Sequence, residues 1–511
     1  MPYFPGLPAV ETAMKLQLLL VTVLAGPLAA QSPGPLVHAA GTITSADVMR
    51  RVSIVADDSM LGRDTPSRGL ELTAEYVASE FRRVGLRPAG DGVAYIQRFG
   101  LTRWVMDTAV SAVELATARA RGEAQLGIDA RYLGGHIPET PLRGAVLLLT
   151  GAAQPTAVKD RIVMLVPDFS KPVSAALNQQ VLDLAEAGPR AVLILSNRDS
   201  ATFSDRLKMA ARPRFTRDSA GNIEAGAPII EVHQRALGPV LAAAGIDPAA
   251  VRKVGRGAQR TVAGLTIEIR LARRILARAS VPNVAGVLEG SDSTLRNEYL
   301  VYSAHIDHIG ISPGLPDSIN NGADDNASGV AGLLELAEAF AQPGARPRRS
   351  ILFLAPGAEE PGLLGSAYYT EHPTVPIASM VADINMDLIG RNWPDSVIAV
   401  GLEQSDLAGT LQQVVSAHPE LRMTPIADRW PEERIFYRSD HYNFARKGVP
   451  ILFFTSGTHP DYHRPGDEPA RVDGEKESRL VRLLFYLGAA IGDHAARPQW
   501  NPASYRQIVD R

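Results

Sequence analysis

Between Tyr299 and Asp387 the chain alternates unbroken apolar runs with a helix-period run, and polar residues gather where the apolar runs stop. Tyr299-Leu300-Val301-Tyr302-Ser303-Ala304 leads into His305, Asp307 and His308, and Ser350-Ile351-Leu352-Phe353-Leu354-Ala355 ends shortly before Glu359-Glu360. Met380-Val381-Ala382-Asp383-Ile384-Asn385-Met386 runs directly into Asp387. Between the first two runs, Gly322 to Gly329 carries Asp324-Asp325-Asn326 and opens a helical pattern through Val330, Leu333, Leu334, Ala337 and Phe340. Strands that are apolar along their whole length and separated by helices belong to a parallel sheet covered on both faces. Ligands of such sheets sit beyond the carboxyl ends of the strands, where these polar residues stand. The expected fold class is α/β: a mixed, largely parallel sheet flanked by helices, with a small inserted β-rich α/β domain.

The rest of the chain divides around this stretch. A length of 511 residues allows more than one domain. Helical patterns cover Ser45 to Leu86, interrupted by a Gly62-Arg63-Asp64 turn, with Ser67 or Thr65 near the start of the second helix. No chemistry is expected there. From about Ala120 to Ser280 short β-like runs (Ala145 to Leu149, Ile162 to Val166, Ala191 to Ser196, Leu265 to Leu271) alternate with turn signals, and His136 and His233 stand isolated. Beyond the central stretch, Val397 to Val400 and Gly448 to Thr455 add strands, and Leu480, Leu483, Leu484, Leu487 and Ile491 mark a closing amphipathic helix. The expected domains are 1–30 as a signal peptide, 31–118 and 280–496 as the two parts of the main domain, 119–279 as the insert, and 497–511 as a tail.

Met14-Lys15 followed by an apolar core to Ala25 and by Leu28-Ala29-Ala30 has the form of a secretory signal, with Met14 as a second candidate start. The core is too short for a permanent membrane span, so an exported, periplasmic or secreted protein is expected. A net charge of −3 gives no reason to expect nucleic acid as a partner. The absence of cysteine excludes disulfides, thiol catalysis and thiolate metal sites.

Imidazole and carboxylate donors remain, and these favour zinc, with manganese or cobalt as substitutes. A hydrolytic pair of metal ions needs a carboxylate able to bridge them, a histidine and a further carboxylate around each, and an unligated carboxylate as base. His305, Asp325, Glu360, Asp387 and His463 provide that set, and Glu359 is left over.

These residues fall in ordered motifs: Ser303-Ala304-His305-Ile306-Asp307, Gly322 to Gly329, Glu359-Glu360 with Gly362 and Gly365-Ser366, Asn385-Met386-Asp387, Ser439-Asp440-His441, and Tyr462-His463-Arg464-Pro465-Gly466-Asp467. The series resembles the M28 family of zinc metallopeptidases, strongly over Pro282 to Asp473 and more weakly from Ser45 to Gln97. The insert resembles a protease-associated (PA) domain through Val181 to Ser196, whose implied role is to shape substrate access or mediate contacts.

The resemblance implies that Asp325 bridges two Zn2+ ions, that His305 and Asp387 complete one and Glu360 and His463 the other, and that Glu359 is the general base. Asp307 would hold His305 in its metal-binding tautomer, while His308 and His441 would be supporting or surface residues; Tyr437 is read as a packed aromatic, with hydrogen bonding to the tetrahedral oxyanion as the alternative. The bond from Asp325 to Asn326 is a candidate cis peptide. The implied activity is removal of the amino-terminal residue of peptides. Alternatives are the same site acting as a carboxypeptidase, dipeptidase or glutaminyl cyclase-like enzyme, or a non-catalytic PA-domain binding protein. The cyclases resemble one-zinc enzymes, whereas ligands for both metals are present here, and a non-catalytic relative should lack a ligand.

Overall fold

A computed structural model of the chain describes residues 34–150, 155–169, 175–218, 226–253 and 258–510. The expected export signal, 1–30, lies outside the described residues.

Among these residues two mixed sheets form, of ten and eight strands. The larger contains β1 (Ile96–Met106), β2 (Arg214–Arg217), β3 (Arg273–Leu288), β4 (Tyr299–Ser303), β5 (Ser350–Ala355), β6 (Met380–Met386), β7 (Ser396–Val400), β8 (Thr424–Ile426) and β9 (Ile451–Thr455). Their order is β8-β7-β9-β6-β4-β5-β3-β1-β2, and the two-residue strand Arg87–Pro88 also pairs with β3. The middle of the sheet, β9-β6-β4-β5, is parallel throughout. Antiparallel partners flank it: β7 pairs with β9, β3 with β5 and β1 with β3.

Alternate residues of the central strands enter two different cores, which is why these strands are apolar at successive positions. Leu300 and Tyr302 of β4, with Ile351 and Phe353 of β5, face the core that also takes α1 (Ser45–Val55), α2 (Arg68–Arg83), α3 (Gly329–Phe340) and α5 (Gly474–Asp493). Val301, Leu352 and Leu354 face the opposite core, which includes Tyr369 of α4 (Leu364–Glu371) and Phe444. Helix α3 is buried at nearly every position, and Phe340 at its end packs on Phe485 with ring centroids 4.4 Å apart. Replacing Phe340 by alanine should cost about 3–5 kcal/mol of unfolding free energy, read as a lower midpoint in urea.

Thr44 and Ser67 cap α1 and α2 by accepting the backbone N–H groups of Asp47 and Leu70. Thr65 does not cap; its hydroxyl donates to Asp307 across the fold.

The eight-stranded sheet is built from residues between Ala112 and Arg270 and has its own apolar cores. The expected boundary at 119 falls inside the hairpin of Ala112–Ala116 with Arg121–Gln125, and the one at 279 falls inside β3. Strand β1 contributes to both sets of cores: Trp104 is packed in the core of the eight-stranded sheet while Phe99 of the same strand is packed in the main one. Strand β2 comes from within the insert yet pairs with β1, and Arg217 at its end forms an ion pair with Glu371 of α4 at 2.8 Å. His233 is accounted for locally: its ring accepts the N–H of Arg235 and contacts the carbonyl oxygen of Arg198. No helix among the described residues is long and apolar enough to cross a membrane.

Candidate metal centre

Each parallel strand of the central sheet ends at the same edge, and each is followed by one part of the site. His305, Asp307 and His308 follow β4, Glu359 and Glu360 follow β5, Asp387 follows β6 directly, and His463 lies in the loop after β9. Asp325 comes from the loop that opens α3. Parallel register places these strand ends side by side, so residues far apart in sequence converge.

The loops hold uncommon backbone conformations where they carry these groups. Ala358, just before Glu359, and Leu388, just after Asp387, lie at φ +57° and +58°, and His463 itself lies at +56°. A left-handed non-glycine residue costs about 1–2 kcal/mol, which the packing around each loop must offset. The Asp325–Asn326 peptide bond is cis. Asn326 then reaches across to the Asp387 segment, donating to the carbonyl of Met386 at 2.9 Å.

Two groups of donor atoms result, His305–Asp325–Asp387 and His308–Asp325–Glu360–His463, and Asp325 belongs to both. His305 Nε2 stands 3.3 Å from Asp387 Oδ1 and 3.6 Å from Asp325 Oδ1, while His463 Nε2 stands 3.1 Å from both Asp325 Oδ2 and Glu360 Oε2. Two ligand atoms each about 2.0–2.1 Å from a tetrahedral zinc are separated by roughly 3.3 Å, so these spacings suit zinc. His463 Nε2 is buried between these two carboxylate oxygens, a donor set of imidazole and carboxylates that suits a cation. The residues fit the pair of ions.

Glu359 belongs to neither group; its Oε2 stands 4.0 Å from His305 Nε2. The carboxylate of Asp307 is 3.7 Å from His305 Nδ1, whose nearer contact is the main-chain oxygen of Asp307 at 3.2 Å. That carboxylate also accepts the N–H groups of Glu359 and Glu360 and the Thr65 hydroxyl, at 3.0, 3.3 and 2.9 Å. Asp307 therefore fixes the turn that presents both glutamates.

His308 is buried and faces the site, with Nδ1 2.8 Å from Glu360 Oε1. That separation is a hydrogen bond and is short for two ligands of one zinc. His441 belongs to neither donor group and rests its Nε2 on the carbonyl of Phe436, and Tyr437 lies edge-on to Phe436 and Tyr442. Sequence reasoning passed over Asp467, whose carboxylate accepts the N–H groups of Asp324 and Asp325 at 3.1 Å and so ties the His463 loop to the Asp325 loop. It passed over Arg63 as well. Asp467 was visible as part of the Tyr462–Asp467 motif; nothing in the Gly62-Arg63-Asp64 turn signals burial.

Dense negative charge in a dry site favours protonation. Burial pushes the Glu359 carboxyl well above its usual range, with Glu360, Asp387 and Asp440 adding to the effect against His305. Burial and Glu360 likewise raise Asp325, and burial lifts Asp440 to about 7. Burial alone would lower His463, but its contacts with Asp325 and Glu360 push it up to about 10. Burial would raise Glu360, yet the His308 and His463 rings hold it well below the carboxylate range.

A group whose pKa is raised by folding holds a proton that the unfolded chain releases, so stability falls as pH rises between the two values. Glu359, Asp325, Asp440 and His463 all act in this direction. Metal-free protein should therefore lose thermal stability as pH rises from about 4 to about 10, and bound cations, which compete with protons for Asp325 and His463, should reduce the slope. Calorimetry of chelated and metal-loaded protein checks this; a flat profile for the chelated form contradicts it.

Comparison with known proteins locates the site in a family. Residues 283–487 match the family model described as Peptidase family M28. These residues belong to that family. The M28 stretch runs from within β3 into α5 and includes both groups of donors. Aminopeptidase YwaD of Bacillus subtilis (strain 168) is 26% identical over 234 residues, 42% of this chain and 46% of its own length. A protein named "Probable zinc metalloprotease" of Pyrenophora teres f. teres (strain 0-1) is 34% identical over 119 residues, 23% of this chain and 25% of its own. The match thus spans less than half the length of either relative. The solved aminopeptidase from Aneurinibacillus sp. strain AM-1 aligns over 90% of this chain and 96% of its own with a TM-score of 0.50 at 18% identity, which shows a shared fold.

Proposed function

We propose that the M28 stretch is a two-zinc exopeptidase that releases the amino-terminal residue of peptides, and that the protein is exported. One observation carries this reading: a single buried carboxylate, Asp325, is shared by two donor groups while a second, Glu359, stands beside them and joins neither. That is the division of labour metal-assisted hydrolysis needs.

His305, Asp325 and Asp387 would hold one ion and Asp325, Glu360 and His463 the other, with manganese or cobalt able to substitute. Bound there, two zinc ions supply Lewis acidity, polarising a peptide carbonyl and lowering the pKa of a water towards neutrality. Glu359 takes the proton of that water as its oxygen attacks the carbonyl carbon. It then delivers the proton to the nitrogen of the leaving amine as the C–N bond breaks. His308 holds Glu360 in place through its hydrogen bond, and Asp307 sets the turn on which both glutamates sit. The PA-like insert, tied to α4 through Arg217, would shape access to the site.

The deciding experiment measures release of free amino acid from aminoacyl p-nitroanilides, with chelator and with zinc restored. Activity should vanish with chelator, return with zinc, and be absent on the same compounds with an acetylated amine. Removal of carboxyl-terminal residues from amine-blocked peptides would favour the carboxypeptidase reading instead.

A further inference from the structure

Arg63 is completely buried and forms no ion pair with a carboxylate among the described residues, although the site beside it is crowded with them. All its hydrogen bonds go to main-chain oxygens. Nε donates to Ile306 at 3.1 Å, Nη1 to Val55 at 2.8 Å and Asn321 at 2.6 Å, and Nη2 to Gly322 at 2.9 Å and Asp325 at 3.3 Å. A guanidinium has five N–H donors in a fixed plane, and all five are used. Four of the five acceptors lie on the two segments that carry His305 and Asp325.

The main chain around Arg63 is fitted to the same place. Its carbonyl accepts the N–H of His308 at 3.2 Å, and Gly62 accepts that of Gly310 at 2.9 Å. A side chain at Gly62, which lies at φ +64°, would meet the carbonyl oxygen of Gly310 at 2.5 Å and that of Asn320 at 2.6 Å. The turn is therefore wedged between the two ligand-bearing segments, and its one long side chain bridges them.

We propose that Arg63 is a positioning residue that fixes segment 305–308 against segment 321–325, so that the donors of both metal groups are in place before any ion binds. The inference rests on the metal reading given above. Burying a cation without a carboxylate partner is costly, and carbonyl dipoles from two loops offset that cost only while both loops keep their positions. The charge also lies near Asp325, Asp467, Asp307 and Glu360, which favour it electrostatically. Lysine cannot substitute, because an ammonium has three donors and no fixed fork.

The test titrates metal-freed full-length protein with cobalt(II), followed by its visible absorption, in wild type, R63K and R349K. Arg349 is the control: equally buried, it donates to carbonyls of Ile491 and Ala495 and to Glu298, away from the metal groups. Wild type should take two equivalents. R63K should bind at least about tenfold more weakly with an altered spectrum, whereas R349K should lose thermal stability but keep both affinity and spectrum. Two ions bound by R63K with wild-type affinity and spectrum, or equal losses in R63K and R349K, overturn the role of Arg63. A wild type that takes no cobalt overturns the metal reading and this proposal with it. Should R63K fail to fold, hydrogen exchange of metal-free wild type decides: protection of amides in 305–308 and 321–328 supports preset loops, and exchange at unstructured rates overturns them.

Discussion

Glu359→Gln should retain two bound metal ions and lose roughly 10²–10⁴-fold in kcat, because the amide keeps the shape of the side chain but cannot take a proton from water. The metal content is expected to survive since Glu359 lies outside both donor groups. Asp307 holds its backbone N–H irrespective of the side chain, so the turn should stand. Metal analysis alongside turnover on an aminoacyl p-nitroanilide reads both halves of the expectation. Near-normal turnover in a protein with two ions would remove Glu359 from the mechanism.

Asp325→Ala should be more severe. Its two oxygens face different partners, Oδ1 towards His305 and Oδ2 towards His463 and His308. Each metal group therefore loses a donor in a single substitution. Zinc content should fall from two ions to less than one, and turnover by at least roughly 10⁴-fold, since both the polarised carbonyl and the activated water depend on the ions. His463→Ala removes a donor from one group only and should spare the other ion. A D325A protein that keeps two ions would show that Asp325 does not bridge them.

The sheet was legible from its strands, and the physical reason is two-sided burial. Val301 and Leu300 enter different cores, so a strand such as Tyr299–Ser303 has no polar face and stands out as an unbroken apolar run. The ligand candidates were legible for a related reason: strands of this kind end abruptly, and the residues that follow are exposed to a common edge. The same logic failed where no break in composition exists. Strand β1 gives Phe99 to one core and Trp104 to the other without a turn between them, so composition marks no limit there.

Burial of charged groups was not legible at all. Gly62-Arg63-Asp64 reads as a solvated turn, and only the approach of the Ile306 and Gly322 carbonyls makes Arg63 an interior residue. His308 is two residues beyond Ile306 and looks like any loop histidine, yet its ring is buried against Glu360. Asp307, expected at His305, stands 3.7 Å from its Nδ1 and also serves the backbone of Glu359 and Glu360, because that turn, from a different strand, folds over it.

The sequence by itself determined which side chains stand at the ends of which strands, since apolar periodicity and donor chemistry are properties of short segments. Only the tertiary structure decided their distances and their supports: that Asp325 sits between two histidines 158 positions apart along the chain (305 and 463), and that an arginine from outside the M28 stretch joins the loops. Those relations depend on the parallel register that lines up four strand ends and on the packing of the amino-terminal helices over them, and no local pattern encodes either.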